Sequence, residues 1–311
     1  MSQSMPIKVI LLDGGVGQEL IHRSNNVPSN LWSLKVMMDH PWMVEEVHCD
    51  FFNAGASVAT TNTYCIHRDR LHKTLNLEEQ FDALYHTALQ SAENARRRVQ
   101  KGKIAGSIGP LICSYRTNIC LSHMEAVTRY KEIAQLLAPH VDIILCETVA
   151  SLAQAHAVLQ GVRMVMANGT IWLSVTLDDS DGMCLRSGEK VKNIVKIAHD
   201  YQVSAILANC SVPEVMGSAM NIFSDSGLPF GAYANGFSHI SDEFIDSDSS
   251  TVALLKKRQD LSPEKYADFA MEWIAKGATI VGGCCEVGPN HIAEIASRLR
   301  ATNGYEIAND I

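Results

Sequence analysis

No stretch of this sequence approaches the roughly 20 apolar residues that a membrane-spanning helix needs. Basic charge is also scarce. Lys and Arg total 26 against 34 Asp and Glu, for a net charge of −8, and a nucleic-acid surface needs a basic face. The two small basic clusters, Arg96 to Arg98 and Lys256 to Arg258, read as solvated helix ends. There is no C-x-x-C knuckle, and "DGGVG" (13–17) is not the G-x-G-x-x-G of a dinucleotide site. Low-complexity tracts are absent. The N-terminal "MSQSMPIKVILLDGG" has too short an apolar run for a signal peptide and no small-residue cleavage site. A cytoplasmic location is therefore expected, where thiols stay reduced. Nine cysteines, an odd number, then read as core residues plus a metal site and not as a disulfide framework.

Apolar residues make up 47% of the 311, ample for one large core. Eight β-rich runs alternate with segments of helical period: "VILLDGG" (9–15), "SVATTNT" (57–63), "KIAGSIG" (103–109), "VDIILCET" (141–148), "TIWLSVTL" (170–177), "SAILANC" (204–210), "PFGAYAN" (229–235) and "ATIVGGCC" (278–285). Continuous apolar strands separated by amphipathic helices imply a parallel sheet covered on both faces. Eight such units in a chain of this length predict a single α/β domain over 1–311, a (β/α)8 TIM-type barrel. A doubly wound open sheet is the rival. The connection from 236 to 261 is long and acidic and reads as a lid or binding loop, or as a plain surface excursion.

Each run ends in a polar or reactive residue: Asp13, Asn62–Thr63, Ser107, Glu147, Thr176, Asn209–Cys210, Asn235 and Cys284–Cys285. In a barrel these C-terminal strand ends converge on the face that carries the chemistry. Cys210, Cys284 and Cys285 then form a candidate three-thiolate metal site with one open position, as catalytic zinc sites have. Gly282–Gly283 give the chain freedom to turn both neighbouring thiols the same way. Spacing alone leaves buried spectator thiols equally open. Glu147 is either a carboxylate that pairs a substrate cation or an acid favouring a helix N-terminus. Asp13–Gly14 is either a ligand cradle or a tight turn.

The motifs "LLDGGVGQEL", "VHCDFFNAGASVATTNTY", "GSIGP", "CETV", "LANCS" and "GGCCEVGPNHI" occur in this order over nearly the whole chain. In this the chain resembles the homocysteine S-methyltransferase family, with Asn-Cys followed by Gly-Gly-Cys-Cys as the most specific part. The resemblance implies a (β/α)8 barrel, methyl transfer to homocysteine giving methionine, and a zinc ion on Cys210, Cys284 and Cys285. It also implies homocysteine contacts at Asp13, Gly14 and Glu147, with Thr63 and Tyr64 lining the same mouth. Asn235 stands where relatives carry Pro-Asn, here with Ala234 in place of the proline; it is expected to cap the metal or to bind substrate. The segment after "GSIGP", "LICSYRTNICLSHMEA", also departs from the family's acidic pattern.

Both departures bear on the second substrate. No added pterin-binding region is visible, and the Asp-x-His-x-x-Gly signature of a cobalamin module is missing. A small, already activated donor is thereby favoured, S-methylmethionine first, whose sulfonium would meet Tyr64, Tyr233 and acids of 241–248. Betaine and S-adenosylmethionine are the alternatives, and a non-catalytic zinc- or thiol-binding barrel is the reading from another class. The sequence leaves oligomeric state open.

Overall fold

The computed structural model describes residues 5–24, 31–75, 77–117, 121–246 and 254–308. Nine strands form one curled, all-parallel sheet: β1 Ile7–Leu11, β2 Val58–Thr60, β3 Lys103–Ile108, β4 Ile143–Val149, β5 Ile171–Val175, β6 Ala205–Asn209, β7 Phe230–Tyr233, β8 Ile280–Val281 and β9 Tyr305–Ile307. Their order is β2-β3-β4-β5-β6-β7-β8-β1-β9. From β2 to β8 each strand lies beside its sequence neighbour, so this row lacks the reversal point of a doubly wound sheet. β1 pairs with β9 through Ile7 to Val9 and with β8 through Ile10 and Leu11. Just beyond β1, Leu12 bridges in parallel to Val58. Ser57 N donates to Leu11 O at 2.7 Å, and Asp13 N to Val58 O at 3.1 Å. The chain leaving β1 thus touches both β8 and β2.

Helices α1 Val16–Ser24, α2 Ser33–Asp39, α3 Pro41–Ala54, α4 Arg68–Leu75, α5 Phe81–Val99, α6 His123–Leu137, α7 Leu152–Arg163, α8 Lys192–Asp200, α9 Pro213–Phe223, α10 Asp242–Asp246, α11 Pro263–Ala275 and α12 Pro289–Ala301 connect the strands. Local chemistry sets several starts. Ser122 and Glu125 form a reciprocal capping box on α6. Ser151 and Ser262 cap α7 and α11.

Strand side chains alternate between two cores, as the two-residue period of a strand requires. Ile144, Cys146, Ile206, Ala208, Ala232 and Val281 join the helices in a large outer core. Ile143, Leu145, Trp172, Leu207, Tyr233 and Ile280 meet in a small inner one. This double burial is why the strands read as unbroken apolar runs. The inner core fills the space enclosed by the sheet and forms the base on which the site rests. β9, a three-residue strand, is additional to the eight runs expected.

Candidate functional site

A cavity of about 100 Å³ opens at the C-terminal ends of the strands. Three sulfurs meet in it. Cys210 follows β6, and Cys284 and Cys285 follow β8; the three sulfurs lie within 4.8 Å of one another. Backbone bonds fix the cysteines in place. Cys210 N donates to Tyr233 O at 3.3 Å, Cys284 N to Ala234 O at 2.9 Å, and Gly283 N to Asp13 O at 2.9 Å. Cys210 and Cys285 are buried. Burial drives the Cys285 thiol well above its ordinary range, because a lone thiolate there is poorly solvated.

Two expectations about these residues are corrected. Cys210 and Cys284 are joined as a disulfide, with Cα atoms 5.7 Å apart, whereas no disulfide was expected. The cause is the convergence itself: two strand ends aim both sulfurs at one point, inside the Cα separation that a disulfide accepts. Of the other seven cysteines, six are free and Cys120 lies outside the described residues. The second correction concerns Gly282–Gly283. Neither takes a left-handed backbone; Cys210 (φ 51) and Glu286 (φ 65) do. The glycines serve close packing instead. A Cβ on Gly282 would lie 2.5 Å from Leu12 Cβ, and one on Gly283 would collide with the Val287 side chain.

Left-handed residues other than glycine recur at the cavity wall, where Trp32, Tyr115 and Thr148 join Cys210. Such conformations cost energy and mark places where the fold over-determines the backbone. At Thr148 the determinant is Asn209, whose side chain is buried between β4 and β6. Asn209 Oδ1 accepts from Thr148 N at 2.9 Å and from Ser174 Oγ at 2.8 Å, and its Nδ2 donates to Thr148 Oγ1 at 2.9 Å. The asparagine preceding Cys210 therefore shapes the strand ends without entering the cavity.

Two carboxylates line the same cavity as the sulfurs. Asp13, after β1, accepts from Thr60 N at 2.6 Å and Thr60 Oγ1 at 2.8 Å. Glu147, at the end of β4, accepts from Ser107 Oγ and from Tyr233 OH at 3.0 Å. Burial, assisted by the charge of Glu147, raises the Asp13 carboxyl to about 8 against the Thr60 hydrogen bonds. Burial likewise raises Glu147, against the bonds from Ser107 and Tyr233. Neither has a cationic partner among the described residues. A ligand ammonium between them would supply the missing charge and reverse both shifts.

Aromatic side chains cover the remaining wall. Trp32 meets Tyr64 edge-to-face at 5.9 Å, and Tyr115 meets Phe244 at 5.9 Å. Phe237 and Leu255, from the connection 236–261, complete the cover with Phe244. Of the expected site residues, Asp13, Gly14, Tyr64, Glu147, Cys210, Cys284 and Cys285 line the cavity. Thr63 stands behind the wall, its Oγ1 donating to Ser107 O at 2.7 Å; Thr60 and Thr61 line the cavity in its stead. Asn235 is fully buried beside the thiol turn, with Oδ1 accepting from Phe237 N at 3.1 Å and no partner for Nδ2 among the described residues. Tyr233 is engaged with Glu147. Of the acids of 241–248, Asp248 lies outside the described residues, and Phe244 is the residue of that stretch on the cavity wall. The walls contributed by Trp32, Tyr115 and Phe244 escaped sequence reasoning, because no motif spacing links three segments so far apart.

A homocysteine S-methyltransferase family model matches residues 10–299. The homocysteine S-methyltransferase of Escherichia coli strain K12 is 29% identical, covering 96% of this chain and 100% of that protein. The structure of the E. coli homocysteine methyltransferase MmuM in its metallated form superposes with a TM-score of 0.78 at 26% identity, covering 94% of this chain and 96% of that one. The oxidized form of MmuM gives 0.77 at the same identity, covering 93% and 96%. With its fold and nearly its whole length in agreement, this chain belongs to the homocysteine S-methyltransferase family.

Proposed function

We propose that this protein moves a methyl group from a small activated donor, S-methylmethionine before others, to the sulfur of homocysteine, giving methionine, with zinc on Cys210, Cys284 and Cys285. The observation that carries this is the juxtaposition of three sulfurs within 4.8 Å and two buried, cation-deficient carboxylates in one cavity. Once the Cys210–Cys284 disulfide is reduced, the donor set fits zinc: three thiolates with one side open to the cavity match a catalytic site. When bound, zinc holds a substrate sulfur as thiolate at neutral pH. The meeting of β1 with both β8 and β2 supports reading the first eight strands as a (β/α)8 barrel, with β9 appended outside.

In this reading Asp13 and Glu147 take the ammonium of homocysteine and point its sulfur at the cysteines. The sulfur attacks the methyl carbon while the carbon–sulfur bond of the donor sulfonium breaks. The leaving group is a neutral thioether and accepts no proton, so no general acid is required. Alignment of sulfur, methyl and leaving sulfur supplies much of the rate. The rings of Trp32 and Tyr64 suit a cationic methyl donor once water is excluded. The same wall suits the quaternary ammonium of betaine, which is the second reading. A cytoplasmic setting is proposed with it, since the six other cysteines among the described residues are unpaired and reduced thiols belong there. Among the described residues no helix is long and apolar enough to cross a membrane.

The test is the initial rate of methionine formation by reduced, zinc-loaded protein with homocysteine and one donor at a time. S-methylmethionine is expected to outrun betaine, S-adenosylmethionine and methylfolate. Preference for betaine would replace the donor, and no methionine from any of them would make this a non-catalytic thiol-binding protein.

A further inference from the structure

Behind the thiol turn a polar cluster has no part in the chemistry above. Its centre is Glu286, next to Cys285, with a side chain 4% exposed and a left-handed backbone. Gln18 Nε2 donates to Glu286 Oε1 at 2.5 Å, and the Lys257 ammonium lies 2.9 Å from Oε2. His22 Nε2 also lies 3.1 Å from Oε2. Gln18 and Lys257 each reach a different part of the cavity wall. Gln18 Oε1 accepts from Trp32 Nε1 at 2.8 Å, and Trp32 lines the cavity. Lys257 belongs to the long connection and pairs in antiparallel fashion with Phe237, also a lining residue. Around that pair, Ser238 N donates to Lys256 O at 2.9 Å, Arg258 N to Gly236 O at 2.8 Å, and Gly236 N to Cys285 O at 2.7 Å. One carboxylate therefore ties together the thiol turn, the Trp32 wall and the cover formed by the connection.

We infer that Glu286 is a positioning residue, a latch that holds the paired stretches 236–238 and 256–258 and Trp32 in register over the thiols and so shapes the methyl-donor side of the cavity. A charged latch fits the geometry. Lys257 is half-exposed at 50% and Glu286 is not, so the pair can open toward solvent from the lysine side, while the carboxylate stays seated on Gln18. Charge-assisted bonds of this kind are stronger than neutral ones. The side chains of Asp13, after β1, and Glu147, on β4, are the proposed homocysteine contacts and hydrogen-bond to none of Glu286, Gln18, Lys257 and Trp32. The assignment of the donor side rests on the proposed function; the latch itself does not.

The test uses Glu286→Gln, which keeps the bond to Gln18 and removes the charge, and Lys257→Met, which keeps the stem and removes the ammonium. Amide hydrogen exchange of the full-length protein reads the latch without substrate. The amides of Gly236, Ser238 and Arg258 are expected to exchange about tenfold faster in either variant, with those of β6 unchanged. The double variant should be no faster than either single one, because the two residues act as one pair. In kinetics with S-methylmethionine, or with S-adenosylmethionine, the donor KM is expected to rise about tenfold and the homocysteine KM less than twofold. Unchanged exchange at these amides would overturn the latch. So would a parallel rise in both KM values with loss of bound zinc, since that describes general loosening of the thiol turn. If the unaltered protein forms no methionine from any donor, the proposed function fails, and the exchange experiment still decides the latch.

Discussion

Replacing Glu147 by Gln tests the substrate side of the site with little structural disturbance. The side chain is buried, and both of its oxygens accept hydrogen bonds, one from Ser107 and one from Tyr233 at 3.0 Å. Glutamine fills the same volume. Its oxygen can take the tyrosine hydroxyl, and its amino group can donate to a rotated Ser107 Oγ. What disappears is the negative charge offered to the ammonium of homocysteine. A hydrogen bond to a charged group contributes about 1.5–3 kcal/mol, so the homocysteine KM should rise roughly 10- to 150-fold at saturating donor. The substitution also acts on Asp13. Burial, together with the charge of Glu147, places that carboxyl at about 8. In the unaltered protein, Asp13 is protonated in the free site below that pH. Binding an ammonium must then expel a proton, and homocysteine affinity rises as pH climbs toward 8. In the variant one cause of the raised value is gone, so this rise should shift to lower pH. The assay is steady-state kinetics in homocysteine across pH 6 to 9, with zinc content measured on the same samples. An unchanged homocysteine KM with zinc retained would refute the role of Glu147 and leave it an ordinary acid at a strand end.

Three further outcomes follow from the same geometry. Cys285→Ala removes one of three convergent sulfurs and is expected to strip most of the zinc and abolish methyl transfer while the far-ultraviolet dichroism stays native; full zinc and activity would contradict the metal site. Trp32→Ala opens the aromatic wall beside Tyr64, and loss of a desolvated cation–π contact of about 2 kcal/mol should raise the donor KM roughly 30-fold, with homocysteine binding preserved. His48 is wholly buried on α3 without a hydrogen-bond partner among the described residues, and burial lowers it to about 4. The unfolded chain therefore binds more protons than the folded one between pH 6.5 and about 4, so the pH-dependent cost of His48 is absent above that window and grows as pH falls through it, up to roughly 3 kcal/mol. His48→Leu should flatten the loss of urea stability over that interval, and an undiminished pH slope would refute the assignment.

The parts of this molecule that were readable from the chain are those where one residue's position fixes its role. The apolar run "IILCETV" is buried on both faces, so its lack of alternation marked a covered parallel strand, and the acid at its end had to face the strand mouth. Cys210 and the Cys284–Cys285 pair were legible for the same reason. β9 was not. Tyr305–Ile307 is short and only partly buried, and it exists because β1 offers an edge at Ile7 to Val9, which is a tertiary fact. Thr63 was placed in the mouth because the run "SVATTNT" was read to its last residue. The strand ends at Thr60, and the turn beyond it puts Thr61 in the cavity and Thr63 behind. The glycines before the cysteine pair were assigned flexibility when close packing against Leu12 and Val287 explains them. Sequence lists glycines; only the fold says whether a position lacks a side chain for torsion or for space. The Trp32–Gln18–Glu286–Lys257 chain joins four distant segments and leaves no periodic or motif signal.

The central claim is that the three cysteines hold zinc with one position left for the substrate sulfur. X-ray absorption at the zinc edge of the reduced, zinc-loaded protein tests it directly, with and without homocysteine. The expected result is three sulfur ligands at about 2.3 Å and one lighter ligand without substrate, changing to four sulfurs when homocysteine is added. A zinc environment with fewer than three protein sulfurs, or one that homocysteine leaves untouched, would contradict it.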